Sequence, residues 1–579
     1  MVKTLIPFDL AVDSNRDGVI KFAGNFNDEA TLGKPQDTTS EAKPFRFWLN
    51  DDEDDNANTT AEKDAEKVTP TTPDHSDGLI KTKRDLEDFT RLNIYLGGLQ
   101  DAILQGTIKV GLKWKNTTGN PAVKVWQNLS PNGGNEYLTD DGVAGQHLQL
   151  NTPGNVQGTL PYIIPTIFWQ QQGFSATQPN GYMLIEGSGE GKGQLVISLH
   201  KSDGTEMGEG PGVWFHLVNV RKMYERAKAT GIADNFEEPS QTSSGNPPEP
   251  SMGFVPDPNG QQFDNSAASW QETKKYIVFV HGWNMSYEAS QKFAETMFKR
   301  LWQCGYKGRF ASMRWPTLDD SFVGIPYTYN ASEYRAWKCG ESLKQFLASL
   351  PAGYTKNLVS HSMGGIVAGS GLNKGMTVEN YVLLNAAVPA ICYDDRTVSN
   401  GRSVLDENWG YTTPVYDPDA GTRNLSYRYK LNSVSGNLIN FYLPLDGALQ
   451  SWELNNYTSG AFSLGAKPQR YNGSSTGYYY DPAAPAGQRL GIKYLSVEGR
   501  FVTTSHEGMA YIAQSPTKTV GANGQTVGSI GSSVNMTDYG FSKVHSAEFT
   551  FSIQKVQECY YDIIKKLGIR PNYLNEQRP

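Results

Sequence analysis

From residue 273 onward the chain alternates short apolar runs with amphipathic ones, and that alternation restricts its fold more than any other feature. "KKYIVFVHGW" (274–283), "RFASMRW" (309–315), "KNLVSHS" (356–362), "ENYVLLNAAVP" (379–389) and "NLINFYLPLD" (437–446) read as strands. Between them, "SYEASQKFAETMFKRLWQCG" (286–305), "NASEYRAWKCGESLKQFLASL" (330–350) and "MGGIVAGSGLNK" (363–374) read as helices. Asn330 or Ser332 would cap the second helix. The strands are apolar along continuous stretches, so both faces of their sheet must be covered. Strands alternating with helices give a mostly parallel sheet. Sites in such sheets gather at the carboxyl ends of the strands.

Residues 1–228 have a different texture. "GTIKVGLKW" (106–114), "YMLIEG" (182–187), "GQLVISLH" (193–200) and "GVWFHLVNV" (212–220) read as strands between turns rich in Gly, Asn and Asp. They predict a β-rich, sandwich-like region. "RKMYERAKA" (221–229) reads as a short helix. Residues 229–272, with "EEPSQTSSGNPPEPSMGFVPDPNG", read as a linker. The chain is therefore expected to be multidomain: 1–228, the linker, and 273–579.

Composition removes several function classes. The formal net charge is -8, which argues against a basic face for nucleic acid. No apolar run reaches the roughly 20 residues that a membrane helix needs. The start of the chain, "MVKTLIPFDLAVDSNRDG", turns acidic early and shows no leader. With 59 glycines, 30 tyrosines and only 19% charged residues, the chain is still expected to be secreted or periplasmic, its leader absent from this sequence. None of the four cysteines (Cys304, Cys339, Cys392, Cys559) sits in a C-x-x-C pair, which argues against zinc or redox chemistry. They predict either buried thiols or up to two disulfides.

The chemistry starts at "NLVSHSMGGIVAG" (357–369). This is a G-x-S-x-G turn with Ser360 in place of the first glycine. A strand ending at Ser362 and a helix starting straight after it would lift the hydroxyl above the sheet. The new helix's free N–H groups would face whatever Ser362 attacks. Upstream, "VFVHGWN" (278–284) ends the first strand of the domain in His-Gly.

Together "VFVHGWN", "SHSMGG", "VLLNAAVP" and "NFYLPLDGAL" resemble the α/β-hydrolase superfamily, in its esterase and lipase-like members, over about 273–579. The resemblance implies a serine nucleophile, Ser362, and an oxyanion hole from the amides of Trp283 and Met363. It implies an acid and a base in the chain order Ser, acid, His. Asp446 stands at the end of the strand "NLINFYLPLD", with Asp394 and then Asp481 as alternatives. Only two histidines follow Asp446. Of these, His545 lies just before the helical pattern of 549–567 near the end of the domain, where the family has its base, and His506 is the alternative. The expected activity is hydrolysis of carboxylic esters, whether small-molecule, lipid or polymer, through an acyl-enzyme with no catalytic cofactor. A lipase or an amidase or peptidase of the same fold, and a binding or adhesion protein with an inactive hydrolase domain, are the competing readings. Insertions at 391–436 and about 447–544, with stretches such as "SSTGYYYDPAAPAG" (474–487), are expected to wall the site or cover it as a lid.

One acidic signal stands apart. "DSNRDG" (13–18) has the D-x-N-x-D-G opening of a calcium loop, with Asp13, Asn15 and Asp17 as oxygen donors. Position twelve is Gly24 and not Glu, so the loop is no complete EF-hand. "NDDEDDNAN" (50–58) could complete a structural calcium site through Asp51, Asp52, Asp54 or Asp55. A solvated acidic turn is the alternative.

Overall fold

The computed structural model describes residues 8–23, 33–49, 87–129, 148–229, 253–257, 268–285, 287–317, 325–387, 433–443, 446, 519–520, 525–526, 532–541, 544–550 and 553–570.

The N-terminal half builds one sheet from β1 (Phe8–Ala11), β2 (Phe45–Trp48), β3 (Phe89–Leu96), β4 (Ile108–Asn128), β5 (Leu148–Gln157), β6 (Tyr162–Ile163), β7 (Asn180–Lys201) and β8 (Glu206–Val218). The main path runs β1-β3-β7-β4-β5; β8 pairs with β7 and β2, and β6 pairs with β4. Two short helices, α1 (Gln100–Leu104) and α2 (Thr166–Gln171), pack beside it. The sequence predicts a β-rich, sandwich-like region, and the region is β-rich; its described strands join in one hydrogen-bonded sheet, with β7 continuing through its glycines. Gly187 and Gly189 lie so close to the neighbouring backbone that an added Cβ would stand 2.5 Å from the carbonyl oxygens of Trp48 and Asn120.

The second sheet has the order β10-β9-β12-β11-β13-β14-β15-β18, where β9 is Glu225–Ala229, β10 Phe254–Pro256, β11 Lys275–Val280, β12 Arg309–Arg314, β13 Thr355–His361, β14 Asn380–Leu384, β15 Leu438–Tyr442 and β18 Ser532–Asn535. The small ribbon of β16 (Thr519–Val520) and β17 (Gln525–Thr526) is separate. Every pairing from β9 to β18 is parallel, and β10 alone runs antiparallel at the edge. The helices are α3 (Tyr287–Gln303), α4 (Ile325–Ser349), α5 (Gly364–Asn373), α6 (Ala547–Thr550) and α7 (Ile553–Lys566). No helix among the described residues is long and apolar enough to cross a membrane.

"RKMYERAKA" is therefore not the expected helix. It is a 3-10 turn (Val220–Lys222) followed by β9, which pairs with β12. Its Lys, Arg, Met and Ala are good helix formers, but intrinsic propensity is worth only tenths of a kcal/mol per residue, and pairing at an open sheet edge outweighs it. The buried Arg226–Asp257 ion pair fastens β9 to the residue after β10. The sheet thus draws its edge from stretches the sequence analysis assigns to the N-terminal region and the linker.

Alternate residues of each strand enter different cores. Val278, Val280 and Leu358 join Leu343 and Phe346 of α4 and Ile366 of α5 on one face. Ile277, Phe279 and Val359 join α3 and α7 on the other, in a core that continues into Phe45, Phe47 and Trp48 of the N-terminal sheet. α3 is thus covered by both halves of the chain. Three of its charged residues are buried and paired: Lys299 with Asp88 at 2.7 Å, Arg300 with Glu87, Glu295 with Arg221. Arg16 packs over the Trp302 ring at 3.7 Å and donates to its carbonyl, near the end of α3. Lys299→Met should cost about 3–5 kcal/mol, since it leaves the Asp88 carboxylate without its ammonium partner. An unfolding midpoint in urea equal to that of the wild type would refute this.

Cys304, Cys339 and Cys559 are free buried thiols, which excludes disulfides among these three. Cys392 lies outside the described residues.

Candidate active site

β13 ends at His361, and Ser362 takes φ of 52°, a left-handed conformation uncommon for a residue with a Cβ. Backbone bonds hold it there. Its N–H donates to Leu384 at 2.9 Å, and its carbonyl accepts from Gly365 and Ala387 at 3.0 Å each. α5 begins two residues on, at Gly364. A Cβ on Gly364 would stand 2.5 Å from the carbonyl oxygens of Val280 and His281, so this turn needs glycine for contact with β11. Ser360 fills the motif's missing glycine position with a purpose of its own: its buried hydroxyl meets the Tyr381 hydroxyl at 2.8 Å across to β14.

Three predicted residues come together here from distant parts of the chain. Nε2 of His545 is 2.7 Å from Ser362 Oγ, and Nδ1 of His545 is 2.6 Å from Asp446 Oδ2. Asp446 stands four residues past the end of β15 and is 1% exposed; Ser362 is 6% exposed. Burial works against a charged His545 imidazole. The charge and hydrogen bond of Asp446 outweigh it and hold the imidazole above its ordinary value of 6.5.

Met363 occupies the N-cap of α5 and is fully buried. Trp283 follows Gly282, whose hypothetical Cβ would lie 2.8 Å from Ser362 Cβ, so the loop after β11 runs directly beside the serine. His281 is a structural residue. Its Nε2 accepts from the Trp315 N–H at 3.2 Å, its carbonyl accepts from Trp315 Nε1 at 2.8 Å, and burial lowers its imidazole to about 3.

Asp394, Asp481 and His506 lie outside the described residues, as do most of both insertions. So do Asp51, Asp52, Asp54 and Asp55. In the N-terminal loop, Asp13 accepts from the N–H groups of Asp17 and Gly18 at 2.9 and 2.8 Å. Among the described residues no three His, Cys, Asp or Glu side chains gather closely enough to hold an ion. Sequence reasoning missed Asp37, which accepts from the N–H groups of Asn15 and Lys21 and so closes this loop.

It also missed three buried residues behind His545: His361, Asn385 and Glu548. The legible signals were faint. His361 touches Ser362 in sequence, Glu548 follows His545 by three, and Asn385 directly follows the apolar run Tyr381–Leu384.

The sequence profile of a family described as "Alpha/beta hydrolase of unknown function (DUF900)" matches residues 261–393. That stretch includes Gly282, Ser362 and Asn385 and stops before Asp446 and His545. No curated protein matches the chain. Among solved structures, a type II thioesterase of the yersiniabactin biosynthetic pathway is 15% identical, covers 31% of this chain and 78% of its own, and has a TM-score of 0.17. An esterase domain from a Rhodothermus marinus protein is 16% identical, covers 31% and 68%, and has a TM-score of 0.18. At these scores neither carries an argument about substrate.

Proposed function

Taking the C-terminal part of the chain as an α/β-hydrolase domain, we propose that it cleaves carboxylic esters through an acyl-enzyme on Ser362. The observation that carries this reading is the run of short contacts from Ser362 Oγ through His545 to Asp446, 2.7 and 2.6 Å long, at a serine held in a left-handed turn. His545 donates its Nδ1 proton to Asp446, which leaves Nε2 free to take the Ser362 proton. Oγ attacks the ester carbonyl, and the main-chain amides of Trp283 and Met363 receive the oxyanion. His545 passes the proton to the departing alcohol. Water, activated by the same imidazole, then releases the acid and restores Ser362.

The direct test is reaction with a fluorophosphonate, followed by p-nitrophenyl esters of increasing acyl length. The phosphonyl adduct should map to Ser362, and turnover should follow it. An adduct elsewhere, or turnover indifferent to the label, would reject the reading. An ester profile limited to long acyl chains would identify a lipase, and faster cleavage of anilides an amidase. An unlabelled, inactive chain would favour the binding-protein reading.

Structural calcium on the N-terminal loop is a separate proposal, supported by the spacing of Asp13, Asn15 and Asp17. Because the described residues supply too few donors, it depends on Asp52 and Asp54. Calcium should then raise the melting temperature of the wild-type chain and not that of an Asp52→Asn, Asp54→Asn double variant. A wild-type transition indifferent to both calcium and chelator would end the proposal.

A further inference from the structure

His361, Asn385 and Glu548 converge on the back of the proposed base, at 2%, 0% and 0% exposure. Asn385 follows β14 with φ of 43°, a left-handed conformation that asparagine tolerates better than most residues. Its N–H is bound to the Phe441 carbonyl at 3.0 Å. From that anchored position its Nδ2 donates to the main-chain carbonyl of His545 at 2.8 Å and to Glu548 Oε2 at 3.1 Å. His361 Nε2 lies 3.4 Å from the same His545 carbonyl and 3.6 Å from Glu548 Oε1. The rings of His361 and His545 are 5.0 Å apart, and Phe293 and Phe549 pack against His361.

His545 needs this support because it precedes α6 by two residues and belongs to no regular element. Its ring bonds to Ser362 and Asp446 cannot serve as its only tether. The bond to Ser362 is remade as the proton moves, whereas a bond to the main-chain carbonyl is the same in every state. Catalytic groups lose rate steeply when their support lets them drift by a fraction of an ångström.

We propose that Asn385, His361 and Glu548 are positioning residues for the base: Asn385 and His361 hold the main-chain carbonyl of His545 from the ends of two sheet strands, and Glu548 holds the Asn385 amide in place. This inference rests on the serine-hydrolase reading above. The Glu548 carboxyl faces His361 from β13, His545 and Asp446 at the site, Arg300 from α3, and Cys559 and Tyr560 from α7. Burial pushes that carboxyl up to about 8, so below that pH glutamine is a close mimic of it in both shape and charge.

The test uses the full chain and two readouts: turnover of p-nitrophenyl butyrate across pH, and the rate at which a fluorophosphonate labels Ser362. Asn385→Ala should lower kcat and labelling about 100-fold, the order of loss known for misplacement by about 1 Å, with KM nearly unchanged. Glu548→Ala should lose kcat in the same way. Glu548→Gln should match the wild type below pH about 8 and part from it only above, where the native carboxylate appears. Wild-type kcat and labelling in both alanine variants would overturn the proposal. So would equal losses in Glu548→Ala and Glu548→Gln, which would mean that Glu548 acts through its acid proton or charge and not by accepting from the Asn385 amide. If Asn385→Ala does not fold by circular dichroism, the two Glu548 variants decide alone. A wild-type chain that is not labelled at Ser362 would instead overturn the hydrolase reading, and this inference with it.

Discussion

Ser362→Ala is expected to lower kcat for p-nitrophenyl esters on the order of 10⁶-fold while leaving the fold intact. The loss is so large because His545 Nε2 serves the Ser362 hydroxyl, 2.7 Å away, and the remaining ring nitrogen is committed to Asp446. What survives is rate from substrate binding and the amides at Trp283 and Met363. The strain at position 362 lies in the backbone, φ 52°, and is held by bonds to Leu384, Gly365 and Ala387, so alanine inherits it without a new clash. A variant that melts like the wild type and has lost its fluorophosphonate adduct meets the expectation. Turnover within tenfold of wild type would remove Ser362 from the mechanism.

Asp446→Asn should cost on the order of 10⁴-fold in kcat and also move the pH profile. The sign follows from the groups around His545. Burial by itself would lower its imidazole; the Asp446 carboxylate reverses this and holds it above 6.5. Only the neutral imidazole accepts the Ser362 proton, so wild-type kcat/KM should fall as pH drops through that raised value. Asparagine removes the negative charge and can present an N–H where Nδ1 also needs to donate. Burial then acts with less opposition, and the acid limb shifts to lower pH even as the plateau collapses. An acid limb left in place would mean that Asp446 does not set the protonation of His545.

The contrast between these groups marks how far local reading reaches. Ser362 was legible because its evidence is contiguous: apolar residues before it, small ones after it, and Gly364 where only glycine fits under Val280 and His281. The order of the chain also narrowed the base to two histidines. It could not bridge the sequence separation of 99 between Asp446 and His545, or of 163 between Asn385 and Glu548, because those pairs meet only when β13, β14 and β15 lie side by side. The helix expected at "RKMYERAKA" failed for a related reason. Its preference was local, and the competing partner, β12, begins 80 residues past Ala229.

By itself, then, the sequence determined most elements of the second sheet and the chemistry they could carry. Periodicity set strands against helices, the excess of apolar residues along each strand required cover on both faces, and the strand–serine–helix junction pointed to Ser362 as the candidate nucleophile. Tertiary structure decided what no spacing encodes. It joined the N-terminal sheet and the mostly parallel second sheet through one core around α3, with buried ion pairs at Lys299 and Arg300. It also brought a histidine, an asparagine and a glutamate from three separate segments behind His545. The physical reason is one of range. Secondary structure follows from interactions within a few residues, while burial, carboxyl titration and the hydrogen bonds that aim an imidazole depend on which distant surfaces exclude water together.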